Sequence, residues 1–114
     1  MGEEKRKSLR VSVARPVAIT LSSGKKVHAI IANISDEGIG ILSHVPGDVK
    51  AKLIFQFSLP IKDQTATFKL MGQIIHSHLQ ADKYYSGVMF LNISQEQQAN
   101  LIAFIKEMRL KRSG

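Results

Sequence analysis

The chain has 114 residues, of which 44% are hydrophobic and 22% are charged, and its formal net charge is +7. It contains no cysteine, which excludes disulfide bonds, thiolate metal sites and a thiol nucleophile. We predict one globular domain without membrane insertion, because the length suits a single core and no apolar run approaches the length of a bilayer span.

Apolar and polar residues alternate along most of the chain, which is the pattern of half-buried β-strands. The predicted strands cover, in chain order, residues 9–13, 17–21, 26–32, 38–43, 53–59, 65–78 and 84–91. Turn-forming residues separate them at 22–25, 46–48, 60–64 and 82–83. Pro16 predicts a bend or an edge position, and Gly72 predicts a bulge or a bend within the long segment 65–78.

The hydrophobic period changes near residue 94 from that of a strand to that of a helix. Ser94 and Gln97 have the spacing of a capping box, in which a serine N-cap and a Gln three residues later satisfy each other's backbone N–H groups. Apolar residues then recur at helical spacing, at Leu101, Phe104, Ile105 and Met108. We predict one amphipathic helix over about residues 95–111. Six or seven short strands followed by one helix indicate a mainly β domain, either a barrel or a sandwich, with the helix covering one end or one face.

Two short motifs carry residues suited to ligand binding. Arg6 and Arg10 form an RxxxR motif, and in an extended segment residues four apart point to the same side. Asn33, Ser35 and Gly38 form an NxSxxG motif between two apolar runs. A planar guanidinium group pairs with phosphate oxygens and also, in a bidentate manner, with guanine O6 and N7.

In this order on one small β-rich chain, the two motifs resemble the ligand signature of PilZ domains, which bind the bacterial second messenger cyclic di-GMP. The resemblance continues through residues 72–75, residues 85–90 and the C-terminal helix, and it covers residues 5–110. It implies a small antiparallel β-barrel of six or seven strands, of the split-barrel type, with a C-terminal α-helix. It also implies that the protein takes cyclic di-GMP as its ligand. Separately, the charged N-terminus, with no apolar segment after it, leads us to expect a cytoplasmic protein, and we expect neither an enzyme nor a metal site.

The resemblance assigns roles to individual residues. Both arginines would contact the ligand, Asn33 and Ser35 would contact a guanine, and Gly38 would allow the turn of the loop. The implied cyclic di-GMP site therefore comprises Arg6, Arg10, Asn33, Ser35 and Gly38, with Lys5 as an additional candidate.

The position of the RxxxR motif predicts how such a receptor would signal. Residues 1–10 would form a flexible arm, and residues 11–114 would form the single barrel domain with its helix. We expect Leu9 and Val11 to dock on the barrel and the ligand to clamp the arm across the barrel face. This reordering would change a surface that a downstream partner protein contacts. The sequence does not identify that partner or its pathway.

The residues leave other functions open. One is a PilZ-like adaptor that contacts proteins without binding the ligand, and another is a basic β-barrel that binds nucleic acid. The chain has no Trp, and its two tyrosines are adjacent, so no stacking platform is evident and we do not expect a nucleic-acid partner. His76 and His78 share a strand face at a spacing that suits two metal ligands, but no third ligand accompanies them. No nucleophile elbow supports an enzyme.

Overall fold

The computed structural model describes residues 10–113, which form six β-strands and one α-helix. The elements are β1 (Arg10–Thr20), β2 (Lys26–Ser35), β3 (Gly38–Ser43), β4 (Lys52–Ile61), β5 (Gln64–Gln80), β6 (Lys83–Phe90) and α1 (Gln95–Ser113). All neighbouring strands are antiparallel, and they close into a barrel in the order β1-β2-β3-β6-β5-β4. The predicted fold class, a small antiparallel barrel with a C-terminal helix, is confirmed, with six strands.

The strand β1 runs without a break through Pro16, where the sequence predicted a bend or an edge position. On its β4 side, β1 pairs only through Ala18, Ile19 and Thr20, so the first part of the strand is an edge on that side. A proline lacks a backbone N–H and is tolerated where the ladder does not need one. The register on β2 shifts between Ser12 and Arg15, which places a bulge just before the proline.

Gly72 does not form the predicted bulge. It lies in register with Leu53 of β4 and Phe90 of β6, and the shift in β5 falls instead between Ile74 and His76. A Cβ atom at Gly72 would lie 2.6 Å from Val88 Cγ1. The glycine is therefore needed for close packing inside the barrel and not for a change of backbone direction.

The helix α1 closes one end of the barrel. Its capping box is present, because Ser94 Oγ accepts a hydrogen bond from the Gln97 backbone N–H at 3.0 Å and Gln97 Oε1 accepts one from the Ser94 N–H at 3.1 Å. The apolar face of the helix packs against β1, β2 and β4. Leu101, Phe104 and Ile105 are buried in the same core as the inward-facing residues of the strands.

A cavity of about 390 Å³ lies at the opposite end of the barrel. Its wall includes Ile19, Leu21, Ile41 and Ile74, and its described lining contains neither Arg10 nor any residue of the NxSxxG motif. No helix within residues 10–113 is long and apolar enough to cross a bilayer.

Candidate functional site

The barrel brings Arg10 of the RxxxR motif next to Asn33 of the NxSxxG motif on its outer face. Arg10 opens β1 and pairs in register with Ser35, near the end of β2. The Arg10 Nη1 atom donates a hydrogen bond to Asn33 Oδ1, across 23 positions of sequence. Arg6 and the additional candidate Lys5 lie outside the described residues. The part of the predicted site that the structure describes is thus centred on one guanidinium group and one carboxamide.

The carboxamide of Asn33 is held from both sides. While Oδ1 accepts from Arg10, Nδ2 donates to the hydroxyl of Tyr85 on β6 at 2.9 Å. These two bonds orient the amide so that its acceptor oxygen faces Arg10 and its donor faces the barrel wall. Arg10 therefore engages one of the two lone pairs of the Asn33 oxygen, and a ligand donor either shares this oxygen with Arg10 or competes with Arg10 for it.

Ser35, for which the family resemblance implies a guanine contact, is fully buried in this structure, with 0% exposure. Its Oγ accepts hydrogen bonds from the N–H groups of Glu37 and Gly38, both at 3.1 Å, and donates to the Gly38 carbonyl at 3.3 Å. In this conformation the hydroxyl holds the two-residue turn between β2 and β3, because these bonds replace the backbone pairing that the turn interrupts.

Gly38 is also needed for a reason other than the predicted one. Its φ angle is not positive, so the turn does not require the conformational freedom of glycine there. A Cβ atom at this position would lie 1.9 Å from the carbonyl oxygen of Val88 on β6. Gly38 therefore allows β3 and β6 to approach each other closely at the end of the NxSxxG motif.

An aromatic cluster extends the site along the barrel surface, and the motif analysis did not include it in the site. The cluster consists of His76, His78 and Tyr85, whose ring centroids lie between 5.5 and 6.0 Å apart. Two glycines make room for it, since a Cβ at Gly40 would meet the Tyr85 hydroxyl at 2.0 Å and one at Gly87 would meet the His76 ring at 2.4 Å. Glycines on the outward positions of β3 and β6 are the sequence signal that could have indicated it.

The side chains on this face of the barrel are suited to binding a ligand. A guanidinium group supplies fixed donors for an anion or a purine edge, the carboxamide supplies one acceptor, and the aromatic cluster supplies planar apolar surface. Within residues 10–113, no group of three His, Asp or Glu side chains is arranged to hold a metal ion, and the two histidines considered for this role stack on each other.

Comparison with solved structures relates this barrel to known proteins. The fold is similar to that of the Bacillus subtilis inhibitor of motility MotI/DgrA, with a TM-score of 0.85 and 16% identity over 94% of this chain and 52% of that chain. It is similar to the PilZ domain of YcgR from Escherichia coli, solved with c-di-GMP, with a TM-score of 0.69 and 15% identity over 96% of this chain and 98% of that chain. The K. pneumonia MrkH–c-di-GMP complex gives a TM-score of 0.76 and 12% identity over 95% of this chain and 54% of that chain.

The chain spans about half the length of MotI/DgrA and MrkH, and at these identities the likeness shows the fold. A comparison with curated protein sequences finds no significant match. The sequence itself matches the PilZ domain over residues 4–107, which is most of the chain. Because the match includes both motifs, all six strands and most of the helix, the chain belongs to the PilZ domain family.

Proposed function

We propose that this chain is a cyclic di-GMP receptor domain whose site lies on the outer face of β1 and β2. The observation that carries the proposal is the contact between Arg10 and Asn33, which joins the RxxxR and NxSxxG motifs in space. Family membership supports it, as do similar structures of YcgR and MrkH that contain c-di-GMP. Arg6, Arg10 and Asn33 contact the ligand in this proposal, and Lys5 adds a phosphate contact.

Binding exchanges the partners of Arg10 and Asn33. The guanidinium group leaves the Asn33 amide oxygen and pairs with a phosphate or a guanine edge of the ligand, while Asn33 Oδ1 accepts from the guanine N–H donors. A hydrogen bond to a charged group is worth about 1.5–3 kcal/mol, and a bidentate Arg–guanine contact about 1–3 kcal/mol. The bond that Arg10 gives up to Asn33 therefore offsets part of what a bidentate contact with the ligand supplies. Since micromolar affinity needs about 8 kcal/mol, most of it must come from Arg6, from phosphate charge and from stacking.

Ser35 and Gly38 shape this site without touching the ligand. Their buried hydrogen bonds and close strand approach keep Asn33 at the end of a rigid strand pair. Tyr85 adds to this arrangement because its hydroxyl orients the Asn33 amide.

Signalling operates through the N-terminal arm in this proposal. Arg10 belongs to β1 and Val11 is buried, so we assign the proposed reordering to residues 5–9, which lie outside the described residues. Ordering five backbone positions costs on the order of 5–10 kcal/mol, which makes a partly ordered arm the state from which tight binding is possible. The ordered arm then changes the surface that a downstream protein contacts, in the cytoplasm, where a bacterial second messenger reaches its receptor.

Calorimetric titration with cyclic di-GMP tests the proposal directly, since it gives affinity and stoichiometry. We expect saturable binding by the wild type and a loss of at least tenfold in affinity for Arg10→Lys, because lysine keeps the charge but not the planar fork. Lys69→Ala is the matched control, since it removes one positive charge from an exposed position of β5 and should leave the affinity unchanged. Absence of binding by the folded wild type would refute the proposal and favour the adaptor that contacts only proteins.

The orienting role of Tyr85 has its own test. Tyr85→Phe removes the acceptor for Asn33 Nδ2 and leaves the ring in place, so we expect cyclic di-GMP affinity to fall by about two- to tenfold, the value of one neutral hydrogen bond. Tyr84→Phe provides the control, because no hydrogen bond between Tyr84 and Asn33 is present among the described residues. Equal affinities for both variants would exclude the orienting role.

A further inference from the structure

The C-terminal end of α1 reaches the beginning of β1, next to the proposed ligand site. Arg112 Nη2 donates a hydrogen bond to the backbone carbonyl of Ser12 at 2.5 Å, across 100 positions of sequence. Ser12 lies two residues after Arg10 and pairs in register with Asn33. Residues two apart on a strand are roughly 7 Å apart, so the helix delivers a second guanidinium group to the immediate neighbourhood of Arg10.

The guanidinium groups of these two arginines donate hydrogen bonds to neutral acceptors. Arg10 donates to a carboxamide and Arg112 to a backbone carbonyl, whereas the adjacent Lys111 forms an ion pair with Glu107 at 4.0 Å. A hydrogen bond from a cation to a phosphate is stronger than one to a neutral acceptor. Among residues 10–113, neither of these two neighbouring guanidinium groups has a carboxylate partner, and such a pair favours a ligand with anionic oxygens.

A purely structural explanation accounts for only part of this arrangement. Cations at a helix C-terminus interact favourably with the helix dipole, and Lys111 meets that need as well as Arg112 does. The dipole does not require a side chain to reach over β1. The buried residues Leu101, Phe104 and Ile105 hold the helix on the barrel, so its docking does not depend on the exposed Arg112.

We propose that Arg112 is a third arginine of the cyclic di-GMP site and that its guanidinium group exchanges the Ser12 carbonyl for a phosphate of the ligand. This inference rests on the proposed function. It adds a contact from outside both sequence motifs, and it links ligand binding to the C-terminal end of α1.

The first test compares two equivalent substitutions on one helix. Arg112→Gln and Lys106→Gln each remove one positive charge from an exposed position of α1. In calorimetric titrations with cyclic di-GMP, we expect Arg112→Gln to weaken binding by about ten- to hundredfold and Lys106→Gln by less than about threefold. Thermal unfolding of each variant shows that the fold is retained. Equal affinities for the two variants, in a protein that still requires Arg10, would overturn the role of Arg112 and leave the proposed function standing.

The second test is made on the wild-type protein, and the variant serves only for assignment. The Nε–H resonance of Arg112 in the wild-type protein, assigned by its loss in Arg112→Gln, should shift when cyclic di-GMP is added, because the guanidinium group changes its acceptor. A purely structural Arg112 would keep its resonance while that of Arg10 moves, and this result would overturn the inference. Failure of the wild type to bind at all would instead refute the proposed function on which the inference rests.

Discussion

The substitution Ser35→Ala separates a structural role of this motif residue from a role in ligand contact. Ser35 is fully buried, and its hydroxyl makes three hydrogen bonds within the turn between β2 and β3. Alanine fits the same space and leaves the Gly38 and Glu37 N–H groups without their acceptor. We therefore expect the variant to fold, with lower stability.

The size of the effect follows from which groups lose their partner. Gly38 is buried, so its N–H loses the hydroxyl oxygen without access to water, and an unsatisfied buried donor costs about 1–3 kcal/mol. Glu37 is exposed, and water can replace part of its lost bond. Together these terms predict a decrease of about 2–3 kcal/mol in the free energy of unfolding. For a domain of this size the decrease corresponds to a drop of roughly 10 °C in melting temperature.

Urea denaturation and calorimetric titration on the same samples measure both consequences. Ser58→Ala is the control, because the Ser58 hydroxyl bonds to the Thr67 hydroxyl at the surface, and its loss should change the unfolding free energy by less than about 0.5 kcal/mol. Under conditions where the Ser35 variant is fully folded, its affinity for cyclic di-GMP should fall by less than Arg10→Lys lowers it. Unchanged stability combined with abolished binding would refute the reasoning and show that Ser35 contacts the ligand.

Three further substitutions test the fold by urea denaturation. Gly38→Ala places a Cβ 1.9 Å from the Val88 carbonyl oxygen and should cost about 3 kcal/mol, so a variant as stable as the wild type would contradict the close approach of β3 and β6. Leu101→Ala leaves a cavity in the core, where Leu101 is 0% exposed, and should lower the free energy of unfolding by about 2–5 kcal/mol. The control Leu110→Ala changes a side chain that is 72% exposed and should alter this free energy by less than about 0.5 kcal/mol. Ser94→Ala removes the N-cap of α1 and should cost about 1 kcal/mol; no effect would show that the capping box is dispensable.

The sequence predicted the outline of the fold because that outline depends on local patterns. Alternating polarity located the strands, and the capping box located the start of the helix within a residue. The same reasoning was wrong at Gly72, since a glycine in a strand signals either a bulge or a close contact, and the register of β5 against its neighbours decides between them.

The site was predictable to the extent that it follows the two motifs. The motifs indicated which residues to examine, and the structure brings Arg10 of the first into contact with Asn33 of the second. The roles of Ser35 and Gly38 were not predictable, because spacing along a chain does not show whether a hydroxyl faces solvent or the turn that it follows. Tyr85 was missed for a related reason, since 52 residues separate it from Asn33 in the chain.

The sequence by itself determined the strands, the turns, the helix and the two motifs, because each depends on neighbours within a few residues. Tertiary structure alone decided that the Asn33 oxygen is held by Arg10, that Ser35 faces inward and that Arg112 reaches β1. These contacts arise from the closure of the barrel and the docking of α1 on its end. Both depend on the complete set of strand registers and on packing of the core, which no short stretch of sequence contains.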